Sequence, residues 1–105
     1  MMPSLVVDDA AWQDVDNIFA RIAADNLKAA VRVYDAIRAE FELLAAFPGA
    51  GPACDLPEPD LAELRFWPVK KYRSYLVIYR VVPGGVQVVR VIHAATDIRR
   101  AFRPD

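Results

Sequence analysis

His93 is the only histidine in this 105-residue sequence and Cys54 the only cysteine, and a basic run, Lys70-Lys71-Tyr72-Arg73, separates two apolar segments. These residues bound the chemistry. Acid–base work on a phosphodiester needs a base, an acid or charge stabiliser, and cations on the phosphate. An imidazole can move a proton near neutral pH, and Arg65, Lys70, Lys71 and Arg73 can supply cations. No second proton carrier stands out, so His93 is expected to be a structural hydrogen-bonding group at a strand end, with Asp97 as its partner through a capping turn. Tyr72, Tyr75 and Tyr79 are expected to pack. Cys54 lacks an evident base and is expected to sit idle in its loop. One His, one Cys and scattered carboxylates make no metal site. Gly49-Ala50-Gly51 runs into Pro52 rather than a helix, so no phosphate loop and no cofactor are expected.

The elements that must position these residues follow from periodicity. Ser4–Val7 reads as a short strand. Asp8 and Asp9 suit a helix start, and Trp12, Val15, Ile18, Phe19 and Ile22 recur at helical spacing. Asp25-Asn26 breaks that helix and can cap a second, with Leu27, Ala30, Val31, Tyr34, Ile37, Phe41 and Leu44 as its apolar stripe and Pro48-Gly49 as its stop. So short a link predicts an antiparallel helical hairpin. The stretch FPGAGPACDLPEPD reads as a surface loop. Strands follow at 64–69, 74–82 and 86–93, the first an edge or bulged strand because Pro68 lacks an N–H. Lys70 to Arg73 and Pro83-Gly84-Gly85 make the turns, and Asp97 can cap a short last helix. The expectation is one α+β domain over residues 1–105: β-α-α-β-β-β, with a helical hairpin packed on a small antiparallel sheet.

Strict alternation along the last two strands puts Tyr75, Val77, Tyr79, Val81, Val89, Val91 and His93 on one face. It puts Leu76, Ile78, Arg80, Val82, Val86, Val88, Arg90 and Ile92 on the other. Both faces are mainly apolar, and a two-helix hairpin covers one. The other must be closed by the chain's own ends, by a second copy or by another protein. A strand arginine needs an acceptor, so the face with Arg80 and Arg90 is expected to lie away from the hairpin. It would form a groove for an acidic amphipathic peptide, lined by Leu76, Ile78, Val88 and Ile92. In the alternative, both arginines reach the sheet margin and pair with the acidic helices.

The sequence is 55% hydrophobic, with a mean hydropathy of +0.16, an apolar surplus that a partner could bury. No run is long enough for a membrane-spanning helix, the N-terminus does not resemble a secretion signal, and the single cysteine fits a reducing cytoplasm. Residues 1–60 carry 4 Lys/Arg against 11 Asp/Glu, and residues 61–105 carry 9 against 3. The two halves can attract each other within the fold, or the basic half can present a face to nucleic acid or an acidic protein. The Lys-Lys-Tyr-Arg run likewise reads either as a solvated hairpin tip or as a contact for such a target.

The order of elements, NLKAA opening the second helix and LLAAFPGAG closing it, resembles the RelE/ParE superfamily of bacterial toxins. The block YLVIYRVVPGGVQVVRVIHAATDI resembles its ParE branch. Tyr75, Tyr79, Arg80, Arg90, Val91, His93 and Asp97 match that branch's pattern in place, and the likeness runs from about Leu5 to Phe102. The resemblance implies a type II toxin whose ParD-like antitoxin wraps it with an acidic amphipathic C-terminal segment. ParE-like members are associated with poisoning DNA gyrase by binding. RelE-like members cut messenger RNA in the ribosome, which here would fall to His93 and Arg73. A module without toxicity, kept for its antitoxin complex, is the third alternative. The expected contact set is Arg65, Lys70, Lys71, Arg73, Leu76, Ile78, Arg80, Val88, Arg90, Ile92, His93 and Asp97. The sequence departs from the family pattern in two places. Gly51-Pro52 lacks a loop arginine, and Leu76 and Ala95-Thr96 stand where RelE-type cleavage leans on basic residues.

Overall fold

The computed structural model describes residues 3–102. Strand β1 (Ser4–Val7) leads into helices α1 (Asp9–Ala23) and α2 (Leu27–Ala46). Strands β2 (Arg65–Val69), β3 (Tyr72–Val82) and β4 (Gly85–His93) follow, and α3 (Ile98–Ala101) closes the chain. Asn26 caps α2 by accepting from the Ala29 N–H at 3.0 Å, and Asp97 caps α3 through the Arg99 N–H at 3.0 Å. Asp8 holds the N-cap position of α1, but its carboxylate accepts from Gln87 Nε2 instead, at 2.9 Å.

The sheet order is β1-β4-β3-β2. β2, β3 and β4 form the expected antiparallel meander, and β1 adds to β4 in parallel, so the sheet is mixed. β2 is an edge strand and bulges at Pro68/Val69, as a proline without an N–H requires. The β2–β3 turn is tighter than the sequence suggests: only Lys70 and Lys71 lie outside the strands, and β3 begins at Tyr72. At the next turn Gly84 adopts a φ of +78°, a conformation that costs glycine little.

The hairpin packs Ala11, Val15, Ile18, Val33, Ile37, Phe41 and Leu44 against Val77, Tyr79, Val86, Val88 and Val91. Strict alternation misassigns this face. Between Ile78 and Tyr79 the β3–β4 register slips, so Ile78 faces Arg90 and Tyr79 faces Val88. Val89 is the extra residue of a bulge. Val86 and Val88 therefore turn toward the helices, and Val89 turns to the opposite face.

That opposite face is closed by this chain. Leu64, Ile78, Val89 and Ile92 are buried there, with Cys54, Leu61 and Phe66 packed on them from the loop side and Ile98, Ala101 and Phe102 from α3. The segment read as a surface loop is in part a lid. Its backbone is tied to the residue before β2 by Cys54 N–H to Leu64 O at 2.9 Å, and to β2 itself by Phe66 N–H to Pro52 O at 3.1 Å. The expected open groove on this face is absent, because the loop and the C-terminal helix fill it.

Candidate functional site

The arginines of the filled face have separate fates. β1 ends opposite Val88, which leaves the outer edge of β4 unpaired beyond it. Asp14 of α1 occupies that edge. It accepts from the Val91 N–H at 2.9 Å and takes Arg90 in a two-pronged pair, Nε at 2.7 Å and Nη2 at 2.8 Å. Arg90 Nη1 also donates to the Ala101 carbonyl. One guanidinium thus clasps α1, β4 and α3 together, and the bond to Asp14 raises the Arg90 pKa further above its usual value. Arg90 is a margin residue paired to an acidic helix, not an arginine of an open groove. Arg80, opposite Gln87, is half-buried, and its Nε has no acceptor among the described residues.

Arg65 is also spoken for. Its Nη1 donates to Gly51 O at 2.7 Å, so a strand arginine serves the loop that lacks an arginine of its own. Beside it the fully buried Tyr79 hydroxyl donates to Pro48 O and accepts from the Gly51 N–H, both at 2.8 Å. Burial pushes the Tyr79 pKa up, against smaller opposing effects from the Gly51 N–H and the Arg65 charge. A Cβ at position 51 would lie 2.4 Å from Phe66 O and 2.8 Å from that hydroxyl, so only glycine fits.

His93 does not meet Asp97. Its Nδ1 accepts from the Ala95 N–H at 3.1 Å, while Asp97 caps α3. Ile78 and Ile92 are core, and Leu76 packs at the core margin. Val88 faces the helices. Lys70, Lys71 and Arg73 are exposed. Cys54 is free, half-buried and held above its ordinary pKa by burial, which keeps it in the unreactive thiol form. Among the described residues no group of three or more His, Cys, Asp or Glu is placed to hold a metal ion, and no helix is long and apolar enough to cross a membrane.

An open groove runs along α2 where it faces β2. Glu40, only 7% exposed, anchors it by accepting from the Trp67 indole N–H and from the Lys70 N–H at 3.3 Å. On one side of this anchor lies an apolar hollow of about 620 Å³ built by Leu43, Ala46, Phe47, Pro48 and Trp67. Phe47 is 65% exposed, a large aromatic left in water. On the other side a hollow of about 400 Å³ is lined by Ala36, Ala39 and Tyr72 and edged by the cations Arg32, Lys70 and Lys71 and the acid Asp35. Of this groove only Lys70 and Lys71 belong to the contact set expected from the sequence. A carboxylate inside an apolar helical stripe, Glu40 between Ile37 and Phe41, was the available signal, since a buried acid demands donors from a facing element.

A helical hairpin on one face of a four-stranded mixed sheet, sealed beneath by a loop and a short helix, defines a small α+β domain with an open groove beside α2. A family model described as the ParE toxin of the type II toxin-antitoxin system parDE matches residues 5–98, and the chain belongs to that family. A chain in a solved structure titled "Chromosomal ParDE TA system from P. aeruginosa" shares the fold, with a TM-score of 0.71 and 21% identity over 88% of this chain and 96% of that one. A search of curated proteins found no match.

Proposed function

We propose that this chain is a growth-arresting toxin that works in the cytoplasm by binding DNA gyrase, and that a ParD-like antitoxin neutralises it. The family match across residues 5–98 carries this reading. The antitoxin's acidic amphipathic segment lies in the groove along α2. Its apolar side chains enter the hollow of Leu43, Phe47 and Trp67, and its carboxylates meet Arg32, Lys70 and Lys71. The excess of three cations over the one exposed acid, Asp35, supports this placement, as does the exposure of Phe47, which leaves water only when something covers it.

Expression of the chain alone in a bacterium tests the toxin. Growth arrest with an SOS response and inhibited supercoiling supports gyrase as target. Messenger RNA cut at codon spacing would replace it with ribosome-dependent cleavage by His93 and Arg73, and harmless expression would leave only a binding module.

A further inference from the structure

A third hollow, of about 390 Å³, opens between α1, the ends of β3 and β4, and α3. Three arginines line it, Arg21, Arg90 and Arg100, together with Tyr75, His93 and Thr96, and among the described residues no carboxylate does. Arg90 is already engaged by Asp14 and the Ala101 carbonyl. Arg21 and Arg100 are exposed and have no ion-pair partner among the described residues.

The hydrogen bonds decide what the remaining atoms can do. The Ala95 N–H donates to His93 Nδ1, so the neutral imidazole carries its proton on Nε2 and offers a donor there. Arg21 Nη2 donates to the Tyr75 hydroxyl oxygen at 3.2 Å, which frees the Tyr75 O–H to donate outward. Two guanidiniums, an imidazole N–H and two hydroxyls therefore converge on one space, and donors far outnumber free acceptors. The complement of such a set is an oxyanion.

The surroundings favour a nucleic-acid phosphate over a carboxylate. Tyr75 and His93 stand edge to face with centroids 6.0 Å apart, an aromatic pair beside the cations on which an unpaired base can stack. Arg73 lies two residues along β3 and is also exposed. We infer that this hollow is a subsite for the backbone phosphate of a single-stranded nucleic-acid segment, flanked by an aromatic platform. The inference goes beyond the gyrase reading and stands without it.

The single histidine makes the test direct, because its ring resonances in a proton NMR spectrum need no assignment. A short single-stranded DNA oligonucleotide is titrated into the full-length chain at low salt, with poly-glutamate of equal charge as the competing anion. The expected result is a saturable shift of the His93 ring signals by the oligonucleotide at concentrations where poly-glutamate has little effect. In R21Q/R100Q, whose changes are confined to exposed side chains, the affinity falls tenfold or more while the thermal midpoint stays put. The salt dependence should flatten too, because two phosphate contacts are gone. Unmoved His93 signals, equal binding by R21Q/R100Q, or poly-glutamate binding as tightly as DNA would each overturn the assignment.

Discussion

Arg80 and Arg90 sit on the same face of neighbouring strands and should nevertheless behave as opposites when removed. Arg90→Ala strips Asp14 of its counter-ion and frees the Ala101 carbonyl. Breaking so well-shielded a pair should cost about 2–4 kcal/mol of stability, read as a lowered urea midpoint with an unchanged slope. Arg80→Ala breaks no ion pair within the described residues. It should leave the urea midpoint nearly where it was. Equal destabilisation by both would refute the division. Tyr79 offers a third test. Tyr79→Phe orphans the buried Gly51 N–H, at a cost of about 1–3 kcal/mol. Because the folded pKa of Tyr79 is raised above its ordinary value of 10.0, the folded chain holds the phenol proton longer than the unfolded chain does. The stability this contributes is complete below pH 10.0 and is lost as pH rises through the folded value. Urea midpoints followed from pH 8 to 11 should fall less steeply for Tyr79→Phe than for the parent chain.

Among the elements, those with a period in the sequence were legible and those fixed by long-range pairing were not. Both helices, their antiparallel link and the Asn26 cap follow from apolar spacing and one capping residue, because helices form from local contacts. The bulge at Val89 does not follow, since VQVVRVIH is apolar on either parity. One clue was present. Gln87 and Arg90, polar residues within that run, are three apart and share a face only if an extra residue intervenes. The parallel pairing of β1 and the filling of the second face depend on contacts between distant segments, which no local pattern announces. Of the candidate site, the basic turn was legible from composition, while Glu40, Phe47 and Arg21 gain their roles only from what the fold sets beside them. The filled face yields its own prediction. Ending the chain after Thr96 removes α3 and uncovers Ile92 and Ile78. Burial of Ile98, Ala101 and Phe102 is partial, so the loss should be about 2–3 kcal/mol, and a dye that binds exposed apolar surface should respond to the truncated chain. No dye response and an unmoved midpoint would show that the loop alone suffices as cover.

The whole molecule therefore exposes apolar surface in a different place from the one the strand pattern suggests. The apolar surplus does not form an open groove over the centre of the sheet, which this chain covers on both faces. Leu5, Val6 and Val81 stay exposed at one end of the sheet, and a further part lies along α2 and just after it, where Leu43 and Phe47 remain in water beside Trp67. That location separates stability from recognition, because a change there removes no buried contact. Phe47→Asp should leave the melting temperature within the small range usual for surface substitutions. It should also place a charge where the antitoxin's apolar side chains are to be desolvated, and so weaken the complex by 2 kcal/mol or more, about thirtyfold in Kd. Lys70→Glu with Lys71→Glu, at the other end of the groove, should act mainly on the association rate and lose its effect at high salt. The two ends thus have separable kinetic signatures, a faster dissociation from Phe47→Asp and a slower association from the lysine pair, both measurable by surface plasmon resonance with immobilised antitoxin. If neither variant changes either rate, the antitoxin binds elsewhere and the α2 groove is not its seat.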